Sequence, residues 1–370
     1  MKKYTAIFFT AIFFAAASVM SIGGCGKQGT KPVIEEITTT AKQTEEMTTT
    51  QELQTEPPTT EESHEGKVRS RLTGEWVDEK IGNRRPVAVM LNNIIDAVPQ
   101  SGIEQAGVVY EAPVEGGLTR LMGIFEDYDN LDKIGSVRSC RLYYIYFARE
   151  FDAIYTHFGQ AIYAESLLAS SDVHNLNGLM LDGDCFYRTK DRVAPHNAYI
   201  GAEGIAKGIA KFKYRTDYEP NFERHYQFNE NTDQEIDLAG GQKAEKVTPG
   251  YAINKPWFEY NPEDKQYYRF QYGDKQIDEL TGEQLAYKNI IMQCVDYYDY
   301  GDGYLYITTT GSGTGKFITN GKAIDITWKK DKEFGVTRYY DLQGNEITLN
   351  TGKTWVCIIQ DNREDKIVLE

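Results

Sequence analysis

The spacing of apolar residues changes near residue 217, and this change constrains the fold more than any other feature of the chain. Before it, short apolar runs such as 85–91 alternate with stretches of helical periodicity such as 141–151. After it, runs rich in tyrosine, threonine, isoleucine and valine are separated by turn pairs such as Asn320-Gly321. An alternating half followed by a strand-dominated half predicts an α+β protein.

The chain of 370 residues is long enough for two globular domains. We predict an N-terminal α/β-type domain with a mixed sheet at 71–216, followed by a mainly β C-terminal domain at 217–370. In the first domain the pattern predicts strands at 85–91, 107–110, 118–125 and 153–158, and helices at 141–151, 161–169 and 201–212. In the second it predicts strands at 257–260, 266–272, 289–297, 304–310, 323–328, 335–340 and 354–359.

The first 25 residues have the pattern of an export signal. Lys2 and Lys3 precede an apolar run at 6–22, and two glycines lead to Cys25. This junction resembles a bacterial lipobox, in which the cysteine is lipidated and the preceding residues are removed. We therefore predict a signal peptide at 1–24 and an acyl (palmitate-type) anchor at Cys25, on the extracytoplasmic face of the bacterial cell membrane. An uncleaved transmembrane helix is the alternative.

The segment that follows, 25–70, is rich in threonine and glutamate and has no periodic apolar face. Such a segment cannot bury enough surface to offset its ordering entropy, so we predict a disordered tether. A flexible chain of about 45 residues has a mean reach of about 35–40 Å. Glycosylation of the threonines is the alternative to a plain solvated spacer.

The formal net charge of −15 argues against one class of partner. Proteins that bind DNA or RNA draw most of their affinity from basic side chains that displace counterions from phosphates. We therefore expect no nucleic-acid partner, although a local basic site remains compatible with this charge.

Several local patterns resemble nucleotide or metal sites but lack required positions. In the glycine-rich segment 311–316, Thr310 and Phe317 stand where a phosphate loop needs glycine and Ser or Thr, so we predict a β turn. Neither of two aspartate groups has the spacing of a calcium loop, and solvated turns explain them better. These groups are Asp182, Asp184 and Asp191, and Asp296, Asp299 and Asp302. Zinc would require the fold to assemble His157, His174 and His196. We predict no metal and no cofactor.

The four cysteines after Cys25 form no CxxC pair. They are Cys140, Cys185, Cys294 and Cys357. Because Cys294 and Cys357 both lie in predicted strands of the second domain, and an extracytoplasmic location permits disulfides, we hypothesise that these two pair. Isolated buried thiols are the alternative.

Polar residues are densest in the first domain, where predicted strands end beside predicted helices. In an α/β sheet this edge forms the usual ligand crevice, and arginines beside exposed backbone N–H groups suit an anion. The candidate ligand-binding residues are Arg120, Arg138, Ser139, Arg141, Arg188, His196 and Asn197. The candidate acid or base residues are Glu111, Glu115 and His157. The alternative is an internal network in which these arginines and glutamates satisfy each other.

Three functions fit these residues. The first is a membrane-tethered binding or accessory protein of the cell envelope that holds a cell-wall glycan or another anionic ligand. The second is an envelope hydrolase or transferase acting on a phosphodiester or glycosidic bond, with Glu111 or Glu115 as general acid or base and His157 or His196 transferring protons. The third is a structural module that binds an envelope protein. The sequence does not decide whether the protein is an enzyme, and it favours a protein without enzymatic activity.

Short motifs occur in both predicted domains: 85–90, 92–93, 99–102, 109–111, 115–120, 133–139 and 194–197 in the first, and 320–322, 327–330, 340–341 and 352–355 in the second. In this order they resemble the motifs of the YerB-like lipoproteins. Cys140 and Ser136 depart from the small alanine and the proline expected there, which argues against a catalytic use of Cys140. The resemblance implies a two-domain bacterial envelope lipoprotein whose domains have no assigned activity.

Overall fold

The structure is a computed structural model that describes residues 63–231 and 234–370. The predicted signal peptide 1–24, the lipidation site Cys25 and most of the predicted tether lie outside the described residues. Within them, no helix combines the length and the apolar character needed to span a bilayer.

The strands of the first half of the chain are β1 (Lys67–Arg69), β2 (Trp76–Asp78), β3 (Val87–Leu91), β4 (Val108–Pro113), β5 (Thr119–Phe125), β6 (Ile134–Gly135), β7 (Ile154–His157), β8 (Asn175–Asn177), β9 (Phe186–Arg188) and β10 (Ala198–Ile200). The α-helices are α1 (Glu79–Gly82), α2 (Leu142–Arg149), α3 (Glu165–Leu168), α4 (Gly178–Leu181) and α5 (Ala202–Phe212). Short 3₁₀ helices occur at Ile95–Ala97, Ile103–Gln105, Glu115–Gly117, Ile162–Ala164 and Asp361–Lys366.

The described second half contributes strands alone apart from one 3₁₀ helix. They are β11 (Gln227–Phe228), β12 (Gln242–Lys243), β13 (Lys246–Thr248), β14 (Trp257–Asn261), β15 (Gln266–Gln271), β16 (Asp274–Lys275), β17 (Ala286–Tyr287), β18 (Asn289–Val295), β19 (Tyr297–Asp299), β20 (Leu305–Ile307), β21 (Gly311–Thr319), β22 (Lys322–Lys330), β23 (Arg338–Asp341), β24 (Thr348–Leu349), β25 (Thr354–Gln360) and β26 (Val368–Leu369). The α+β prediction is confirmed.

One mixed sheet of eleven strands runs through both halves of the chain in the order β12-β22-β21-β18-β25-β4-β5-β3-β7-β8, with β23 paired to β22. Strand β25 from the end of the chain lies between β18 and β4 and is parallel to both. The predicted division at 216/217 therefore does not coincide with a break in the central sheet. A second sheet, built from β13 to β17 and β26, belongs entirely to the second half.

Both faces of the central sheet are covered, which explains why β3 has no polar alternation. All five of its residues are buried, as is typical of strands buried on both faces. On one face, Trp355 of β25 contacts Phe258 and Tyr287 of the second sheet, with ring centres 5.9 Å and 5.0 Å apart. The other face packs against α2 through Tyr143 and Phe147. Full burial of each such side chain contributes about 1.5–3 kcal/mol.

The glycine-rich segment 311–316 forms the start of strand β21, so the predicted β turn is wrong. A Cβ atom on Gly313 would lie 2.6 Å from Nε1 of Trp328, and one on Gly315 would lie 2.2 Å from the carbonyl oxygen of Met292. Glycine at these positions therefore permits close approach of neighbouring groups rather than a change of chain direction.

The predicted disulfide between Cys294 and Cys357 is wrong, because all four described cysteines are free thiols. The two residues do lie on neighbouring strands, β18 and β25. However, the register places Met292 opposite Cys357 and Cys294 opposite Ile359. This two-residue offset leaves the thiols diagonal to each other, at a spacing typical of unbridged side chains.

The last residues of the predicted tether are ordered, so its disorder does not extend to residue 70. Strand β1 pairs with β2, and Ser70 is fully buried. The hydroxyl of Ser70 donates a hydrogen bond of 2.5 Å to Oε1 of Glu126, a side chain that is only 8% exposed. Burial raises the pKa of Glu126 to about 7, despite the opposing effect of this hydrogen bond.

This raised pKa predicts a pH-dependent stability. Because the folded state holds the Glu126 proton more tightly than the unfolded state, its contribution is full below about pH 4.5 and is lost as the pH rises through about 7. The shift from 4.5 to about 7 corresponds to about 3 kcal/mol. We expect Glu126→Gln to gain about 3 kcal/mol relative to wild type between about pH 4.5 and about pH 8 in urea unfolding. Glu65→Gln, the same change at an exposed position, should track wild type, and a constant difference for Glu126→Gln would refute the prediction.

Candidate functional site

The predicted ligand crevice lies at the edge of the central sheet where several strands end. Strands β3, β4 and β7 run in the same direction and finish there, whereas the antiparallel β5 begins there with Thr119 and Arg120. Helix α2 starts beside this edge, with Arg141 at its N-cap position. The fold thus brings three predicted residues together, and we name Arg120, Arg138 and Arg141 the arginine cluster.

Arg120 is a buried cation without a carboxylate partner. Its side chain is 8% exposed, and its Nη1 donates to the carbonyl oxygen of Ser139 at 2.5 Å. No ion pair to Arg120 is found within residues 63–231 and 234–370. Burial, reinforced by the fields of Arg141 and Arg138, lowers its pKa to about 10, so that it stays charged at neutral pH.

Arg138 is half-buried and equally unpaired. Its Nη1 lies 3.4 Å from the carbonyl oxygen of Pro195, and its buried Nε has no hydrogen-bond partner in the described part of the chain. Burial and the nearby Arg141 lower its pKa. His196 is close by, with Nδ1 2.8 Å from Nδ2 of Asn92, which suits a neutral imidazole that accepts at this nitrogen. Burial and the charge of Arg138 lower the pKa of His196.

Arg141 carries the one carboxylate of the cluster. Its Nε and Nη2 donate to the two oxygens of Glu115, each at 2.7 Å, in a bidentate pair. Although burial acts to raise the pKa of Glu115, the hydrogen bonds and charge of Arg141 lower it. Glu115 is therefore an ionised partner rather than a proton donor. Three guanidinium groups share this single carboxylate.

Glu111 lies on the other face of the sheet. It is paired in register with Leu121, the neighbour of Arg120, and successive residues of a strand point to opposite faces. The carboxylate is fully buried and accepts from Thr119 at 2.8 Å, Asn254 at 2.8 Å and Arg269 at 2.8 Å. Glu111 is therefore part of an internal network, which the sequence left open as the alternative to a ligand site. It is separate from the arginine cluster.

His157 is also fully buried, at the end of β7. Its Nδ1 lies 2.8 Å from the carbonyl oxygen of Gly159, and its Nε2 lies 3.2 Å from Oδ1 of Asn175. Burial lowers its pKa, although both contacts act in the opposite direction. With both nitrogens engaged inside the protein, His157 is not placed to exchange a proton with a bound ligand.

The remaining predicted residues form local contacts around the cluster. Ser139 does not cap α2; its hydroxyl donates to the carbonyl oxygen of Phe158 at 3.1 Å. Arg188 pairs with Asp182 at 2.9 Å and donates to Oδ1 of Asn197 at 3.0 Å. Asn197 in turn donates to the carbonyl oxygen of Thr189. Arg188 is therefore not an unpaired charge, and both the oxygen and the nitrogen of the Asn197 amide form hydrogen bonds inside the protein.

Sequence reasoning missed two neighbours of the cluster. Asn92 contacts His196, and its place directly after an apolar strand is a signal that was available. The second is Tyr304, whose ring centre lies 5.3 Å from Cζ of Arg141. Tyr304 belongs to the other half of the chain, and no local pattern connects it to a residue so distant in sequence.

The arginine cluster does not contribute to a cavity that the described residues form elsewhere in the protein. A cavity of about 460 Å³ lies in the second half and is lined by 238–242, 323–325 and 341–343, with no residue of the cluster. Two charged groups in that cavity, Lys316 and Asp325, pair with each other at 2.6 Å. Unpaired charge, rather than cavity volume, therefore locates the candidate site.

Comparison with known proteins identifies the family. The model described as "Protein of unknown function (DUF3048) N-terminal domain" matches residues 72–215, and the corresponding C-terminal domain model matches residues 246–356. The chain belongs to the DUF3048 family. These DUF3048 matches lie within the ranges predicted for the two domains.

A curated relative and a solved structure, both of the YerB protein of Bacillus subtilis, confirm the resemblance to YerB-like lipoproteins. The chain is 30% identical over 301 residues to "Putative lipoprotein YerB", and the match covers 80% of this chain and 87% of the relative. A crystal structure of the YerB protein is similar with a TM-score of 0.72 and 29% identity, covering 82% of this chain and 99% of that chain. The family description and these names assign no activity, so function must be argued from the site.

Proposed function

We propose that this protein is a membrane-anchored lipoprotein on the extracytoplasmic side of the bacterial cell membrane, and that it binds an anionic ligand at the arginine cluster. The anchor is supported by the lipobox pattern at Cys25 and by the similarity to a protein named as a lipoprotein. Ligand binding is supported by the geometry of Arg120, Arg138 and Arg141.

The observation that carries the proposal is the unpaired state of Arg120. In the described residues, every other buried arginine or lysine forms an ion pair with a carboxylate. The pairs are Arg85 with Asp152, Arg269 with Glu111, Lys288 with Glu235 and Lys330 with Glu150. Arg120 has a backbone carbonyl in place of a carboxylate, although acidic residues outnumber basic ones by 15 in the chain.

This arrangement carries an electrostatic cost that an anion would relieve. Burial of an unpaired charge is unfavourable by several kcal/mol, and the fields of Arg138 and Arg141 add repulsion. A carboxylate, phosphate or sulfate bound beside Arg120 and Arg138 would supply the missing negative charge. Planar guanidinium groups also match the paired oxygens of such anions.

The same geometry favours binding over catalysis. Hydrolysis or transfer would need a free carboxylate or imidazole beside the ligand. Glu111 lies on the opposite face, Glu115 is ion-paired with Arg141, and both nitrogens of His157 are engaged. His196 does lie beside Arg138, but in the described residues it forms no ion pair with a carboxylate that could act with it as an acid–base pair. We therefore favour the binding protein over the envelope hydrolase or transferase.

Removal of Arg138 tests this proposal. Isothermal titration calorimetry with inorganic phosphate at low ionic strength should show at least tenfold weaker binding for Arg138→Ala, a loss of at least about 1.4 kcal/mol. Stability should change little, because the one hydrogen bond of Arg138 that would be lost is long at 3.4 Å. Screening should also weaken wild-type binding as salt is added.

Arg224→Ala is the matched control, because it removes the same charge from an exposed position. It should bind phosphate like wild type. Equal binding by Arg138→Ala and wild type would contradict the proposal. Unfolding of Arg138→Ala would instead favour the internal network. Arg138→Lys then distinguishes anion binding from the internal network, because it retains the positive charge but loses the planar guanidinium fork.

A further inference from the structure

Five tyrosines form a contiguous surface beside the arginine cluster. We name them the tyrosine platform: Tyr163, Tyr298, Tyr300, Tyr304 and Tyr306. Four lie on or between the paired strands β19 and β20, and Tyr163 comes from the 3₁₀ helix Ile162–Ala164 of the first half. The platform is thus assembled from segments far apart in the sequence.

The rings hold one another in place. Tyr163 and Tyr300 stack with ring centres 3.6 Å apart, and Tyr298 and Tyr306 stack at 4.7 Å. Edge-to-face contacts join the two stacks, with Tyr298 5.3 Å from Tyr300. The tyrosine rings are therefore already ordered in the free protein, and a ligand would bind to a rigid surface. Tyr298 is 49% exposed and the other four rings are partly exposed.

The platform and the arginine cluster meet at Tyr304. The guanidinium of Arg141 lies 5.3 Å from its ring centre, and the ring also contacts Tyr163 edge to face at 5.9 Å. Asp302 lies within the platform and accepts from the hydroxyl of Tyr163 at 2.7 Å. The aromatic faces, hydroxyls and carboxylate of the platform therefore adjoin Arg141, the member of the arginine cluster that is paired with Glu115.

We propose that the tyrosine platform binds the sugar rings of an anionic glycan whose charged groups lie on the arginine cluster. This inference rests on the proposed function and specifies its ligand class. It makes the second half of the chain part of the binding site and assigns a role to Tyr163, Tyr298, Tyr300, Tyr304 and Tyr306.

The chemistry of the surface favours a glycan. A tyrosine ring presents a flat apolar face that packs against the C–H groups of a pyranose, and its hydroxyl can exchange hydrogen bonds with sugar hydroxyls. Exposed carboxylates at Asp299 and Asp302 can accept hydrogen bonds from sugar hydroxyls. The unpaired Arg120 and Arg138 then select for negative charge on the sugar chain.

The test compares anions with and without sugar rings. The full chain is titrated calorimetrically with inorganic phosphate, with a galacturonic acid oligomer, with the neutral methyl ester of that oligomer, and with a disaccharide of N-acetylglucosamine and N-acetylmuramic acid. At least one anionic saccharide should bind at least tenfold more tightly than phosphate, and the neutral ester should bind weakly. Tyr304→Leu should weaken saccharide binding at least tenfold and leave phosphate binding unchanged.

Tyr268→Leu provides a matched control, since Tyr268 is a partly exposed tyrosine on the β14–β15 hairpin whose hydroxyl also donates to an aspartate. It should bind like wild type. The platform proposal fails if neither anionic saccharide gains over phosphate, or if Tyr304→Leu binds the saccharide normally. In both cases, weaker phosphate binding by Arg138→Ala would still support the proposed anion site. Phosphate binding that is unaffected by Arg138→Ala would contradict the proposed function as well.

Discussion

Replacement of Glu111 by alanine is expected to lower the free energy of unfolding by about 3–5 kcal/mol, the usual effect of breaking a buried ion pair. The variant would leave Arg269 fully buried without its carboxylate. The guanidinium could not move to solvent, since it lies 4.0 Å from the ring centre of Trp355 and 5.0 Å from that of Phe258. The amide of Asn254 would lose its 2.8 Å hydrogen bond as well. Urea unfolding measures the effect.

Two further variants make this result interpretable. Asp182→Ala breaks an exposed pair with Arg188 and should cost under about 1 kcal/mol. The double variant Glu111→Leu, Arg269→Met removes both buried charges, and it should recover much of the loss because no unpaired ion remains. A loss for Glu111→Ala no larger than that for Asp182→Ala would show that the network contributes little to stability.

The contrast between Glu111 and Arg120 explains how the fold separates stability from ligand binding. Both residues lie near the same edge of the central sheet, on opposite faces. The face of Glu111 is closed by the second sheet, which supplies Arg269 as the buried partner of its carboxylate. The face of Arg120 opens toward the start of α2, where the cluster keeps unpaired charge. An anion site needs unpaired positive charge, as on the face of Arg120. It cannot form where each charge already has a partner, as Glu111 and Arg269 do on the other face.

Local patterns in the sequence were sufficient to predict the elements around the site. The apolar run at 85–91 became β3, and the periodicity at 141–151 became α2, because both signals depend on neighbouring residues. The arginine cluster was predictable for the same reason, since its members flank strands and a helix.

Long-range pairing was not predictable in this way. The partner of Glu111 is Arg269, 158 residues further along the chain, and nothing local selects it. The insertion of β25 beside β4 likewise depends on packing of the whole sheet. The spacing of Cys294 and Cys357 in sequence carries no information on strand register, and register alone decides against their pairing.

The two halves of the chain are also joined by a second buried ion pair, on the opposite side of the sheet from Glu111. Glu150 follows α2, and its carboxylate lies 2.7 Å from Nζ of Lys330 at the end of β22, with both side chains fully buried. Thr337 donates to the same carboxylate through its backbone N–H at 2.9 Å and through its hydroxyl at 3.0 Å. Burial acts to raise the pKa of Glu150, but Lys330 and His225 lower it overall.

Substitution of Lys330 by methionine should therefore destabilise the protein by about 3–5 kcal/mol at neutral pH, because a buried carboxylate would lose its counter-charge. His225 would not replace the lost charge, since burial lowers its pKa to about 4. The deficit should shrink on acidification. In wild type the lowered pKa of Glu150 keeps its stabilisation in place above about pH 4.5, whereas in the variant an uncompensated buried Glu150 becomes neutral by taking up a proton within this range.

Unfolding in urea between about pH 7.5 and about pH 4.5 provides the measurement, with the difference between wild type and variant as the readout. Lys329→Met is the matched control. This neighbouring residue on β22 is exposed and pairs with Asp331 at 3.0 Å, so the same substitution should have little effect at any pH. A deficit for Lys330→Met that stays constant with pH would mean that lost packing, rather than the unpaired carboxylate of Glu150, destabilises the variant.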